Sequence, residues 1–369
     1  PKPQGKKDLL IAGERIAQIK EKIEAPTGIE TAVIDASDRF IVPGFIDLHV
    51  HLLGGGGEDG PASRVPEISL STLTTGGITT AVGVLGTDSI TRALEALLAK
   101  VKGLRKEGLT TYMYTGAYHL PSPTITGSVA RDIALIDEII GVKIAISDHR
   151  SSQPTVYELA RLASEARLGG MLGDKPGLVH THVGAGKGGL DPLLSVVETT
   201  EIPISQFLPT HISRNPALLE QGMEFVKRGG AIDITAPDKP EKAISIVEKL
   251  LKPGVDLSKV TFSSDGNGSK PKFNPQGQLI GMGTGKVSTL LAAMRELVKS
   301  NTLTLSQALS FITVNPADRL GLSGRKGCIK PGADADLVLL DEDLHIDKVF
   351  ARGRLMVDNG EPVVKGAFE

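Results

Sequence analysis

The sequence predicts an α/β fold, a (β/α)8 TIM-type barrel, together with a small β domain formed by both chain ends. The first observation behind the barrel is an alternation of apolar, β-rich runs with helical patterns between residues 44 and 317. Strands that alternate with helices indicate a parallel sheet, and eight such units indicate a closed barrel. The eight candidate strands are 45–51, 78–85, 110–118, 141–147, 177–183, 204–211, 231–236 and 260–265.

Two of the intervening helices have a clear apolar face. Segment 92–105 places Leu94, Leu97 and Val101 at helical spacing, and segment 128–139 does the same with Ile133 and Ile136. A doubly wound open sheet contains the same alternation, so it is the competing interpretation.

The second observation is the position of the chemically capable side chains, which fall within the candidate strands or just after them. They are His49, His51, Thr87, Tyr118, Lys143, His182, His211 and Asp265. The carboxyl ends of barrel strands surround one mouth, whereas an open sheet keeps its first and eighth strands apart. The pattern therefore favours the closed barrel, with a site at its mouth.

His49 and His51 are two residues apart at the end of the first strand. Alternate side chains of a strand share a face, so both imidazoles point to the same place. Zinc takes imidazole nitrogen readily, although two exposed histidines arise by chance too. The later histidines and Asp265 turn this pair into a predicted metal site.

Both chain ends contain short alternating segments that predict antiparallel strands. They are 8–12 and 15–19 near the start, and 336–340, 346–350 and 354–357 near the end. We expect residues 1–43 and 318–369 to form the small β domain, and residues 44–317 to form the barrel inserted between them.

Composition narrows the class of protein. The 369 residues are 40% apolar and 23% charged with a net charge of −2, which is typical of a globular protein and predicts neither a nucleic-acid partner nor a membrane partner. Cys328 is the single cysteine, and no signal peptide is evident, so a cytoplasmic location and a small-molecule substrate are expected. The sequence begins at Pro1, and an initial segment is expected to be missing.

Several motifs resemble one family over nearly the whole chain. They are Gly54-Gly-Gly-Gly-Glu58, Leu85-Gly-Thr-Asp-Ser89, Thr115-Gly-Ala-Tyr118, Ile146-Ser-Asp-His-Arg150, Pro209-Thr-His-Ile-Ser-Arg214 and Ser264-Asp-Gly-Asn-Gly-Ser269. With the His-x-His strand, they resemble the isoaspartyl dipeptidases (β-aspartyl peptidases) of the amidohydrolase superfamily. The resemblance implies hydrolysis of the β-aspartyl bond of isoaspartyl dipeptides.

The resemblance also implies a binuclear zinc site whose ligands are His49, His51, Lys143, His182, His211 and Asp265. Because a lysine ammonium cannot coordinate a cation, Lys143 would be carboxylated and would bridge the two metals together with a hydroxide. The alternative for Lys143 is a lysine paired with a carboxylate. His119, His149, His180 and His345 match no ligand position, and packing or hydrogen bonding is expected for them.

For catalysis, the resemblance implies Asp265 as the acid/base that serves the hydroxide nucleophile and Tyr118 as the donor to the oxyanion. The substrate contacts that it implies are Glu58, Gly56, Thr87, Arg150, Arg214 and Ser269. Glu58 suits the α-amino group of the substrate, and the arginines suit its carboxylates. A homo-oligomer is expected.

Two rivals stay open at this point. One is another amidohydrolase that acts on a cyclic amide, of the dihydropyrimidinase or dihydroorotase type, which would share the metals without needing Glu58. The other is a non-catalytic barrel scaffold, which the six occupied ligand positions disfavour.

Overall fold

The computed structural model describes residues 2–273 and 279–369. Its strands are β1 (Asp8–Ala12), β2 (Arg15–Lys20), β3 (Phe40–Pro43), β4 (Phe45–Val50), β5 (Ile78–Gly83), β6 (Thr110–Gly116), β7 (Ile139–Ile146), β8 (Leu178–Val183), β9 (Phe207–Thr210), β10 (Ile232–Thr235), β11 (Val260–Ser263), β12 (Ser269–Phe273), β13 (Leu279–Thr284), β14 (Leu337–Leu340), β15 (Ile346–Ala351), β16 (Arg354–Asp358) and β17 (Glu361–Pro362).

The helices of the described residues pack mainly around the strands of the middle segment. They are α1 (Leu70–Thr75), α2 (Leu94–Glu107), α3 (Val129–Leu135), α4 (Val156–Gly173), α5 (Asp191–Thr199), α6 (Pro216–Lys227), α7 (Lys242–Leu250), α8 (Thr289–Lys299), α9 (Leu305–Ser310) and α10 (Val314–Arg319). None of these helices combines the length and the apolar character needed to cross a membrane.

Strands β4 to β9 form a six-stranded parallel sheet in chain order, and β10 pairs in parallel with β11. The sheet curls so that the first and eighth barrel strands meet. Val50 forms a parallel bridge with Gly266, and the His51 N–H donates to the Gly266 carbonyl at 2.9 Å. On the other side, the hydroxyl of Thr210 in β9 donates to Asp233 of β10 at 2.6 Å. The predicted TIM-type barrel is confirmed, and the open sheet was the wrong alternative.

The barrel strands are buried on both faces, because helices cover them from outside and side chains fill the interior. Every residue of β4, β5, β7 and β8 is buried. Helix α2 packs its apolar stripe of Leu94, Leu97, Val101 and Leu104 against this wall, which confirms that predicted helix within two residues at each end.

The predicted boundary that differs most from the structure is the end of helix α3. The helix expected over 128–139 ends at Leu135, because Ile136 has an extended backbone with φ −111°, and strand β7 begins at Ile139. Both Ile139 and Ile140 are strand residues whose spacing also fits a helical face. A short apolar run satisfies either period, so spacing alone placed this boundary too late.

The two chain ends build a separate β structure, as predicted. Strand β3 joins β14 to β17 in a five-stranded antiparallel sheet with the order β17-β16-β15-β14-β3. The β1–β2 hairpin is a sheet of its own that packs on the larger one, where Ile16 is fully buried and its N–H donates to the Ala333 carbonyl at 2.9 Å. The residue-level domain limits of 1–43, 44–317 and 318–369 stay a prediction.

Candidate active site

The first two histidines of the site share one face of the first barrel strand. His49 lies in β4 and His51 follows it directly, and the Nε2 atoms of both rings point at Asp265. The distances to Asp265 Oδ1 are 3.4 Å from His49 and 3.2 Å from His51. The alternation of strand side chains therefore places the two imidazoles as expected.

His211 and Asp265 follow β9 and β11 in left-handed backbone conformations. Their φ angles are +64° and +52°. Non-glycine residues adopt this region rarely, and it is enriched at functional sites because the surrounding fold must hold the conformation in place. In both cases the turn directs a side chain inward at the carboxyl end of a strand. His211 comes one residue and Asp265 two residues after the strand ends, not within it.

Lys143 lies inside β7, where it is fully buried. Its Nζ is 3.0 Å from His49 Nε2, and among the described residues no carboxylate forms an ion pair with it. Burial lowers the pKa of Lys143 to about 7. A direct lysine–carboxylate pair, the structural alternative, is therefore absent from the described part of the chain.

His182 and His211 face each other, with ring centroids 4.5 Å apart. The Nε2 atom of His182 is 2.8 Å from Asp148 Oδ2, and its Nδ1 is 2.7 Å from the Tyr118 hydroxyl. A carboxylate only accepts, so the proton of His182 is on Nε2, and Nδ1 accepts from Tyr118. His211 Nδ1 is held 2.6 Å from the Thr235 hydroxyl.

The donor set suits a metal. Ligand atoms of His49, His211 and Asp265 all lie within 4.8 Å of one another, which makes these residues a possible metal site. Burial lowers the pKa values of His49, His182 and His211, to about 3 for His182, so the rings are neutral and keep lone pairs for coordination. Burial would raise the pKa of Asp265, but the hydrogen bond from His51 and nearby positive charge keep it below its usual value.

Glu58 is the centre of a second group of polar side chains beside the donor set. Its carboxylate accepts from Thr87 at 3.2 Å and from Ser269 at 3.0 Å, and Arg150 forms an ion pair with it at 3.3 Å. Arg150 also lies over the ring of Tyr118, with its guanidinium carbon 5.4 Å from the centroid. Four residues predicted from separate motifs thus converge on one spot.

Gly56 and Arg214 occupy the border of the same site. Gly56 has φ +86°, and a Cβ there would lie 2.2 Å from the Ser63 carbonyl oxygen, so only glycine fits this turn. Arg214 is exposed, and within residues 2–273 and 279–369 its guanidinium has no ion-pair partner. Burial of the His211 ring is the main cause of its lowered pKa, and the positive charge of Arg214 lowers that pKa further.

Asp148 is a site residue that the sequence did not identify, although it lies in the quoted Ser-Asp-His-Arg motif. It accepts from His182 and, through both oxygens, from Arg150 at 3.0 and 2.9 Å. Burial alone would raise the pKa of Asp148, but these hydrogen bonds hold it well below its usual range. The carboxylate therefore joins the donor set to the Glu58 group.

The four histidines outside the predicted ligand set each lie beside a polar side chain. His119 contacts Ser89 at 3.4 Å, His149 pairs with Asp148 at 3.6 Å, and His345 pairs with Asp341 at 3.4 Å. His180 differs because it is buried within the site, with its Nε2 3.0 Å from His49 Nδ1.

Comparisons with known proteins agree with this geometry. The amidohydrolase family profile matches residues 40–356. The chain therefore belongs to the amidohydrolase family, a family of metal-dependent enzymes.

Within this family, the resemblance to the β-aspartyl dipeptidases is confirmed. A structure of the β-aspartyl dipeptidase from Fervidobacterium islandicum AW-1 in complex with β-Asp-Leu dipeptide is 45% identical, covers 96% of this chain and 94% of its own, and superposes with a TM-score of 0.90. A second structure of that enzyme is 43% identical over 98% and 95% of the two chains, with a TM-score of 0.89.

More distant relatives act on other substrates. The dihydroorotase of Listeria monocytogenes serotype 4b (strain F2365) is 25% identical over 91% of this chain and 85% of its own. A D-hydantoinase structure shares the fold at 20% identity, covering 98% of this chain and 93% of its own, with a TM-score of 0.66.

Proposed function

We propose that this protein is a binuclear zinc isoaspartyl dipeptidase, which hydrolyses the β-aspartyl bond of isoaspartyl dipeptides. The observation that carries the proposal is the position of Glu58, a carboxylate held by Thr87, Ser269 and Arg150 beside a buried set of metal donors. The relative that is 45% identical was crystallised with β-Asp-Leu, a substrate of this class.

The five proposed ligands other than Lys143 fall into two groups around it. His49, His51 and Asp265 would hold one zinc ion, and His182 and His211 would hold the other. His182 would use Nδ1, because Asp148 already occupies its Nε2. When bound, the metals supply Lewis acidity toward the scissile carbonyl and a water nucleophile at neutral pH.

Lys143 would bridge the two groups as a carbamate. The neutral amine attacks carbon dioxide, a C–N bond forms, and one proton leaves to solvent, which converts the side chain into an anion with two oxygens. Lys143 is fully buried and pairs with no carboxylate of residues 2–273 and 279–369, which supports the carbamate because an unpaired ammonium is costly to bury. The resulting anion would face neutral imidazoles and the metals.

Asp265 would carry the proton of the reaction. Its carboxylate takes a proton from the nucleophilic water and gives it to the leaving amine, so the C–N bond breaks as a neutral amine departs. The Tyr118 hydroxyl contacts His182 Nδ1 in this structure, and it would donate to the developing oxyanion when His182 Nδ1 coordinates a metal.

Substrate recognition would rest on charge. Glu58 binds the free α-amino group of the isoaspartyl residue, and Arg150 and Arg214 bind carboxylates. Thr87 and Ser269 orient Glu58 by donating to it, and the Gly56 backbone lets the substrate approach closely. A homo-oligomer and a cytoplasmic location stay predictions.

The decisive experiment compares β-Asp-Leu, α-Asp-Leu and dihydroorotate as substrates of the purified protein, after chelation and after zinc is restored. We expect zinc-dependent release of leucine from β-Asp-Leu and far slower turnover of the other two. Preferred turnover of dihydroorotate would favour the cyclic-amide alternative, which the dihydroorotase relatives raise. Metal binding without turnover of any substrate would favour the scaffold.

A further inference from the structure

His180 is a buried histidine that the proposed chemistry does not use. It lies on β8, two residues before His182 and directly opposite Lys143 of β7 in the strand register. Its ring stacks on Tyr114 with centroids 4.7 Å apart and planes 12° apart, and its Nε2 is 3.0 Å from His49 Nδ1. Stacking on Tyr114 therefore fixes the orientation of the His180 ring, and its Nε2 atom is within hydrogen-bond distance of His49, a proposed metal ligand.

Two neutral imidazoles can share one hydrogen bond in two ways. If His49 donates from Nδ1, its Nε2 keeps a lone pair that faces Lys143 and Asp265 at 3.0 and 3.4 Å. If His180 donates instead, the proton of His49 must be on Nε2, where it blocks coordination. The direction of this single hydrogen bond thus decides whether His49 can act as a ligand.

The surroundings favour donation by His49. His49 Nε2 faces Lys143 Nζ at 3.0 Å and Asp265 Oδ1 at 3.4 Å, so coordination among these proposed donors would use Nε2 and leave the ring proton on Nδ1, which faces His180. On the far side of His180, Nδ1 has no hydrogen-bond partner in the described part of the chain, so within that part His49 is the neighbour that hydrogen-bonds to the ring.

We propose that His180 is a positioning residue that accepts a hydrogen bond from His49 Nδ1 and so holds His49 in its metal-binding tautomer. The inference rests on the proposed function only in taking His49 as a metal ligand. A neighbour that accepts from the second nitrogen of a ligand histidine fixes its tautomer and ring orientation, and loss of such a neighbour typically costs about 10- to 100-fold in metal affinity. Here the neighbour is a neutral imidazole, where a carboxylate or a backbone carbonyl is more usual.

The experiment measures zinc affinity by competition with a chelator in three variants, with circular dichroism as the check on folding. His180→Phe keeps a ring on Tyr114 but removes the acceptor, and we expect about 10- to 100-fold weaker binding at the tighter site. His180→Gln restores an amide oxygen near the Nε2 position and should bind close to the native affinity. Tyr114→Phe is the matched control, because its hydroxyl has no partner among the described residues, and it should bind like the native protein.

A second measurement needs no variant. Nitrogen-15 NMR of histidine-labelled, metal-free native protein should show His49 protonated at Nδ1 and unprotonated at Nε2. The proposal is overturned by a His49 protonated at Nε2, or by His180→Phe binding zinc as tightly as the native protein. Neither readout uses a substrate, so the result stands apart from the dipeptidase assay.

Discussion

Asp148 offers the sharpest test of how the two halves of the site are connected. Its side chain is only 4% exposed, and it accepts from His182 with one oxygen and from Arg150 with both. Asp148→Asn keeps the shape but removes the charge and replaces one acceptor by an NH2 donor. That donor must face either the His182 N–H or the guanidinium of Arg150, so at least one contact becomes repulsive.

The magnitude follows from the two contacts that Asp148 makes. For His182, loss of a carboxylate behind a ligand histidine typically costs about 10- to 100-fold in metal affinity. For Arg150, hydrogen bonds to charged groups contribute about 1.5 to 3 kcal/mol each. Side-chain exposure of 23% for Arg150 places the effect at the lower end of that range, about tenfold in kcat/KM.

The assay is therefore zinc titration followed by kinetics with β-Asp-Leu at saturating zinc. We expect weaker zinc binding, and a deficit of about tenfold in kcat/KM that added zinc does not repair. The matched control is Asp341→Asn, which removes the same charge from an exposed Asp–His pair in the small β domain. Native zinc affinity and native kcat/KM in Asp148→Asn would refute the role assigned to this carboxylate.

Three further outcomes follow from individual side chains. Lys143→Ala should lose metal and activity together and recover partly with short carboxylic acids; full metal content with normal turnover would contradict the carbamate bridge. Glu58→Gln should keep its metal, as measured by elemental analysis. Its kcat/KM for β-Asp-Leu should fall by roughly one to two powers of ten, which is the value of a charge-assisted contact. Metal loss in this variant would show that Glu58 has been assigned the wrong role. Asp132→Ala should lower the free energy of unfolding by about 3 kcal/mol in urea denaturation. The reason is that the buried carboxylate accepts hydrogen bonds from the N–H groups of Ile125 and Thr126 at 2.9 and 2.7 Å. An unchanged midpoint and slope of the urea curve would contradict this prediction.

The sequence predicted most of the fold because barrel strands are long apolar runs and barrel helices have one apolar face. The same regularity located the donors, since functional side chains follow the carboxyl ends of the strands. Periodicity failed at Ile139 and Ile140, which fit both a helix and a strand. Periodicity also did not predict where the β1–β2 hairpin packs, which depends on the contact of buried Ile16 with the segment around Ala333.

The site was predicted less completely than the fold because the missing roles depend on a partner in space. Asp148 lies in the Ser-Asp-His-Arg motif, from which only Arg150 was predicted as a site residue. Its contact with His182 could not be predicted, because the two residues are 34 positions apart and belong to no common sequence pattern. His180 and His182 are two residues apart in β8 and share one face of the strand. From the sequence alone, His180 therefore fits a metal ligand as well as a packed core residue. Its bond to His49, 131 residues away, is visible only once β4 and β8 are both in place.

The three site histidines differ in the partner of their second ring nitrogen, so two metal ions bound as proposed would have unequal imidazole donors. Asp148 anchors His182 with a full negative charge, Thr235 anchors His211 with a hydroxyl, and His180 anchors His49 with a neutral ring. An anionic acceptor raises the basicity of its histidine more than a neutral one does, so His182 should be the strongest imidazole donor of the three. The same Asp148 also fixes Arg150, which contacts Glu58 at 3.3 Å. Asp148 therefore connects Arg150, a proposed contact for the substrate carboxylates, directly with His182, a proposed metal ligand.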